Sequence, residues 1–159
     1  MNRIGRTLPS TPVKPSGITT GSAYSAYDAV GSAFRLPYAL GVDGGVHIQF
    51  VAFDRGTANA ALRIHMYSTA FSASQNGTTF QISPADYESG LYLGYVDIAT
   101  TDWVTGGTAQ NMARVTGQTI GLYSLNGARE LHCQTQCIGT PTFGNSANPL
   151  TFMPVVSQD

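Results

Sequence analysis

Residues 62–67 read Leu-Arg-Ile-His-Met-Tyr, and their alternation is strict. Leu62, Ile64 and Met66 fall on one side; Arg63, His65 and Tyr67 fall on the other. Successive side chains of a strand point to opposite faces, so a period of two marks a half-buried strand. Related short runs recur along the chain, punctuated by Gly, Asn and Pro. Val46–Phe53 is a continuous β-rich run ended by Asp54-Arg55-Gly56. Leu91–Ile98 is another, and Gly94 inside it suggests a bulge or a close backbone approach. Thr119–Tyr123 is followed by Asn126-Gly127, a strong two-residue hairpin signal. Leu131–Ile138 alternates again, and Leu150–Val156 comes last. Weaker strands are expected at Phe34–Tyr38, Phe80–Ile82 and Ala113–Val115.

One stretch reads as helix. Ser83-Pro84-Ala85-Asp86-Tyr87-Glu88-Ser89-Gly90 offers an N-cap serine, a proline at the first helical position, an acid three residues after the cap and a glycine stop. That is one or two turns inside a connection. The sequence therefore predicts an all-β fold, an antiparallel β-sandwich or jelly roll with one short helix. Residues 1–17 are expected to be an extended arm, because Pro9, Pro12 and Pro15 recur every third residue. Residues 18–159 form the single sandwich domain. Arg3, Arg6 and Lys14 carry all the charge of the arm, and we expect them to lie on a neighbouring acidic surface.

The charged fraction is 11%, against roughly 25% for ordinary soluble domains. Gly, Ala, Ser and Thr fill the difference with 66 of the 159 residues. A net charge of −1 argues against direct nucleic-acid binding and against a polybasic membrane binder. No apolar run approaches the roughly 20 residues of a spanning helix. The first residues have early arginines but no apolar stretch behind them, so synthesis in a cytosol is expected. A surface this poor in charge is prone to association, and burial against partners removes that liability.

Catalytic patterns are missing from the sequence. It holds no glycine-rich phosphate loop with a following Lys, no HExxH, no nucleophile elbow and no calcium loop. No cofactor or metal is expected. His47, His65 and His132 all fall in strands, where isolated histidines are ordinarily structural. Cys133 and Cys137 lie on one face of a strand. At four residues' spacing their Cα atoms are roughly 13 Å apart, too far for a disulfide, which needs less than about 7 Å. They read as small buried hydrophobes. Asp97 and Asp102 read as turn and capping residues. Asn76-Gly77-Thr78 reads as an Asn-Gly turn before the strand at Phe80. Trp103 reads as a core or interface anchor, with a sugar-stacking platform as its alternative role.

Several segments, in order, resemble small virion proteins of tailed bacteriophages and prophages. Tyr24-Ser25-Ala26-Tyr27-Asp28-Ala29-Val30-Gly31 resembles their opening YxAxDxVG strand. Gly45–Phe50 and Leu62–Ser68 resemble the two strands that follow it. Thr79-Phe80-Gln81-Ile82-Ser83-Pro84-Ala85-Asp86 is similar to their TxFxISDAD piece, and Leu93–Ile98 to their xGxVxI. Cys137-Ile138-Gly139-Thr140-Pro141-Thr142-Phe143 is similar to xxGTPTY, and Gln158-Asp159 also fits. The likeness covers about residues 22–159. The family is that of capsid decoration, or cement, proteins with a jelly-roll-like sandwich. The chain departs from it in its paired cysteines, in its basic arm and at Pro154, which removes a ladder donor and predicts an edge or bulged last strand.

The resemblance implies a structural protein and not an enzyme. Its partners would be the major capsid protein and other copies of itself, as a homodimer or homotrimer. Its place would be the outside of the phage head, with no membrane involved. The alternative expectation is a tail or fibre-associated sandwich that binds host glycan through Trp103 and the tyrosines.

Overall fold

The computed structural model describes residues 8–9, 12–37, 46–106, 110–120, 130–144 and 149–158. Its strands are β1 (Leu8–Pro9), β2 (Ala29–Pro37), β3 (Val46–Asp54), β4 (Leu62–Tyr67), β5 (Tyr92–Ile98), β6 (Trp103–Thr105), β7 (Asn111–Ile120), β8 (Glu130–Cys137) and β9 (Leu150–Gln158). One short helix, α1 (Pro84–Glu88), precedes β5.

The pairing is nested: β1 with β9, β2 with β8, β3 with β7 and β4 with β5, all antiparallel. This long double ribbon is then wrapped, so that β9 also pairs with β3 and β8 with β4. The result is two sheets, ordered β1-β9-β3-β7-β6 and β2-β8-β4-β5. That connectivity is a jelly roll, with β6 added beyond β7. Inner faces carry the alternate apolar residues the sequence marked. Leu62, Ile64 and Met66 of β4 are fully buried against Phe50 and Ala52 of β3 and Leu150 and Phe152 of β9. Phe34 of one sheet stacks on Phe152 of the other at 5.3 Å.

The short helix forms where the sequence places it. Ser83 is its N-cap, Pro84 opens it, and Gly90 turns the chain out with φ 71°. Elsewhere the topology departs from local signals. The expected strand at Phe80–Ile82 is irregular chain, and Phe80 is buried there as a packing residue. Asn126-Gly127 lies outside the described residues, but β7 and β8, which flank it, belong to different sheets. β7 and β8 are therefore not paired with each other.

The last strand also differs from expectation. β9 is flanked on both sides, and its register with β3 runs unbroken from Leu150 to Gln158. Phe152 exchanges both of its backbone hydrogen bonds with Val13, each 2.8 Å. Pro154 has the same parity as Phe152, so its nitrogen faces the N-terminal segment and not β3. The proline therefore removes no donor from the central ladder.

The N-terminal segment is extended, as its prolines predict, but its described residues lie on their own domain. Leu8–Pro9 pair with Val155 and Val156. Val13 bonds β9, Pro15 is buried, and Ser32 N–H of β2 donates to Ser16 O at 2.9 Å. The segment thus ties one sheet to the other across the open edge of the sandwich. The expected free arm is, over these residues, an edge clasp. The reason is backbone satisfaction: an outer strand position beside β9 offers unpaired groups that an adjacent extended chain can fill.

Candidate binding surface

The outer face of the four-stranded sheet has three rows of side chains. Arg35, His132, Tyr67 and Tyr92 are register partners in one; Gln134, His65 and Tyr95 form the next; Gln136, Arg63 and Asp97 form the last. The sequence predicts a solvated face here. Instead Tyr67, His65, Gln134 and Gln136 are buried. The cause is the connection from β4 to β5, residues 68–91, which folds back over the face. Phe71 stacks on Tyr67 at 3.8 Å and Phe80 on His65 at 4.0 Å. Ser74 is bonded through its backbone to Gln134, and Ser72 N–H donates to the buried carboxylate of Asp86 at 2.9 Å. Alternation at 62–67 carried no sign of this, because a face covered by irregular chain keeps polar residues that bond the covering backbone.

His65 is held in one neutral form. Gln136 Nε2 donates to Tyr27 O, which turns Gln136 Oε1 toward the ring. His65 Nε2 donates to that oxygen at 3.1 Å, leaving Nδ1 to accept from the Tyr92 hydroxyl at 3.0 Å. Burial lowers the imidazole from 6.5 to about 4. Burial also pushes the Tyr92 phenol up to about 12 and raises the Cys133 thiol, so neither is an accessible nucleophile. Cys133 and Cys137 are free, unbonded to each other and buried.

At the β5 edge this layer emerges into solvent. Tyr87 of α1 is 67% exposed and Tyr95 is 38% exposed. Asp97 accepts from Arg63 Nε at 2.7 Å and from Nη2 at 2.8 Å, in a bidentate pair. That hydrogen bonding raises the Arg63 guanidinium above its ordinary value, and its carbon sits 3.9 Å over the Tyr95 ring.

The outer face of the five-stranded sheet carries a short apolar row at its β6 edge, which ends at the buried Thr151 of β9. Val104 of β6 faces Met112 of β7, and Met112 faces Phe53 of β3. Val104 and Met112 are 64% and 42% exposed. Val51, Met153 and Arg114 share this face by register. Isolated exposed apolar residues are ordinary, but a cross-strand pair on one face forms a patch.

The remaining sequence candidates are placed as follows. Arg3 and Arg6 lie outside the described residues, and Lys14 is exposed beside Val13. Trp103 is 9% exposed and its Nε1 donates to Ala60 O at 2.9 Å, so it is a core residue and no sugar platform. Asp102 caps Ala99 N–H at 2.7 Å, as a turn carboxylate does. Asn76 is a hub: its Oδ1 accepts from the Tyr24 hydroxyl and from Gly31 N–H, each 2.7 Å, and its Nδ2 donates to Thr19. His65 and His132 lie in different rows, and the His47 side chain is outside the described ones. Among the described residues no three metal-ligating side chains converge. An open groove of about 470 Å³ in the connection is lined by Ser72, Ser74, Thr78, Thr79, Gln81 and Ser83, without a charged group to act as acid or base. No helix of the described residues is long and apolar enough to cross a membrane. No protein-family model matches the chain, and no curated protein matches it.

Proposed function

We propose that this chain is a structural virion protein that binds the outside of a phage head shell and bridges major capsid protein subunits. The observation that carries this reading is the outer face of the five-stranded sheet. There Val104, Met112 and Phe53 stand together on a jelly roll whose whole sequence is only 11% charged. Such a face suits burial against another subunit. The sequence resemblance supports the same role.

The mechanism is binding, not catalysis. A clamp across subunit junctions binds the assembled shell and not its separated parts, so by linkage it stabilises assembly. Copies act as a homodimer or homotrimer at lattice positions. Arg3, Arg6 and Lys14 add a contact with acidic capsid surface. No cofactor, nucleic acid or membrane takes part.

Co-sedimentation of the purified protein with expanded, undecorated capsids tests this. Saturable binding at regular lattice positions, with a stoichiometry that reports the oligomer, is the expected result. Val104→Asp with Met112→Asp should abolish it, and Arg3→Gln with Arg6→Gln and Lys14→Gln should weaken it most at low salt. Absence of binding, with the protein located at the tail of intact virions, would overturn the reading.

A further inference from the structure

Tyr87 of α1 and Tyr92 and Tyr95 of the next element, the edge strand β5, line one margin of the sandwich. Tyr87 and Tyr92 are 6.3 Å apart between ring centroids. His65 lies behind them, 5.9 Å from Tyr92 and 6.0 Å from Tyr95. The tyrosine rings are held in place: Tyr92 by its hydroxyl on His65, and Tyr95 by the Arg63 guanidinium on its face. Two of these rings are among the most exposed large apolar side chains described.

Beside the rings stands the Arg63–Asp97 pair. It uses Nε and Nη2, leaving the Nη1 N–H groups outside the pair. The Asp97 side chain is 49% exposed, and a carboxylate has acceptor capacity beyond two bonds. Donor and acceptor thus sit side by side, next to aromatic surface.

From this geometry we infer that the β5 edge carries a subsite for a neutral saccharide. The C–H face of one sugar ring packs on Tyr95 and that of a neighbouring ring on Tyr87, as apolar surface does on aromatic rings. Of two adjacent ring hydroxyls, one donates to Asp97 and the other accepts from Arg63 Nη1. The pair is internally neutral, so it offers no net attraction to an acidic sugar. Few groups need ordering on binding, because the ladder to β4, the Tyr92–His65 bond and the Arg63 contact already fix the site. The inference is independent of the shell-binding proposal, which uses the opposite sheet.

The test is saturation-transfer NMR of the full chain with maltohexaose, cellohexaose, mannohexaose and chitotetraose at millimolar concentration, with 3′-sialyllactose as the acidic arm. Transfer to at least one neutral sugar is expected. Tyr95→Ala and Asp97→Asn should each weaken it about tenfold. Tyr87→Ala, a change at a largely exposed ring, should weaken it without disturbing the fold, which a thermal melt verifies. Trp103→Phe should leave it unchanged. No transfer to any neutral sugar, transfer to sialyllactose alone, or transfer that survives Tyr87→Ala combined with Tyr95→Ala would each overturn the inference. Capsid co-sedimentation of the same tyrosine variants keeps this outcome separate from the shell-binding one.

Discussion

Gln134 and Ser74 form a closed pair: Ser74 N–H donates to Gln134 Oε1 at 2.9 Å, and Gln134 Nε2 donates to Ser74 O at 2.6 Å. The side-chain amide acts as a strand would, satisfying both backbone groups of a residue that has no strand partner. It is fully buried and fastens the connection from β4 to β5 onto the sheet. Everything above that sheet, including the Phe71–Tyr67 and Phe80–His65 stacks, depends on the connection staying down.

Gln134→Ala should therefore destabilise the fold by about 2 kcal/mol, since it leaves a backbone donor and acceptor without partners. Gln134→Glu should cost more at neutral pH. Its carboxylate keeps the Ser74 N–H bond but meets the Ser74 carbonyl with no proton to give, and it buries a charge. Urea midpoints measure both, and proteolytic nicking within residues 68–83 should rise in the same order.

The fold was legible in the sequence to the extent that burial follows a period of two. Inner faces of β4 and β8 alternate as expected, and Pro84 opens α1 and Gly90 ends it where they stand, although the Ser83 side chain makes no capping hydrogen bond. What the sequence hid were long-range relations. Asn126-Gly127 signals a hairpin, but nested pairing sends the flanking strands to different sheets. Pro154 signals a broken edge, but the direction of its nitrogen is set by the parity of Phe152 with Val13. Of the binding surface, the apolar pair Val104 and Met112 was invisible, because β6 is only three residues long. The tyrosine margin was invisible because it needs α1 folded against β5.

Gly31 and Gly77 provide a matched comparison. Their φ values are 72° and 71°, so alanine is strained at both by about 1 kcal/mol. They differ in space. A Cβ on Gly77 meets nothing within 4 Å, whereas one on Gly31 meets Ile18 Cγ1 at 2.9 Å and Ser16 O at 3.0 Å. Gly77→Ala should cost about 1 kcal/mol, and Gly31→Ala should cost on the order of 3 kcal/mol because the edge clasp must move as well. Equal losses in denaturant melts would show that residues 15–18 do not press on β2.

Trp103 should behave as a core residue. Trp103→Ala removes a buried ring and leaves Ala60 O without its donor, at a cost of about 3–5 kcal/mol. Trp103→Phe keeps most of the apolar volume and should retain a cooperative transition with a smaller loss. A melting temperature unchanged by Trp103→Ala would contradict the burial of this side chain.

Acid should loosen the covered face through His65. Its imidazole titrates near 6.5 when unfolded and about 4 in the fold, so the folded state disfavours the proton. The groups facing it are the Tyr92 hydroxyl, the Gln136 amide, the Tyr95 ring and, further out, the Arg63–Asp97 pair. Protonation turns Nδ1 from acceptor to donor and so opposes the Tyr92 O–H as well. The stability carried by neutral His65 is complete above about pH 6.5 and is lost as the pH falls toward 4. The amount is about 3 kcal/mol, the fall from 6.5 to about 4 taken at 1.36 kcal/mol per pH unit. Unfolding free energy measured in urea from pH 7.5 to 4 should fall accordingly, and His65→Gln should flatten that slope. A wild-type profile as flat as that of the variant would mean that His65 is not buried neutral beneath Phe80.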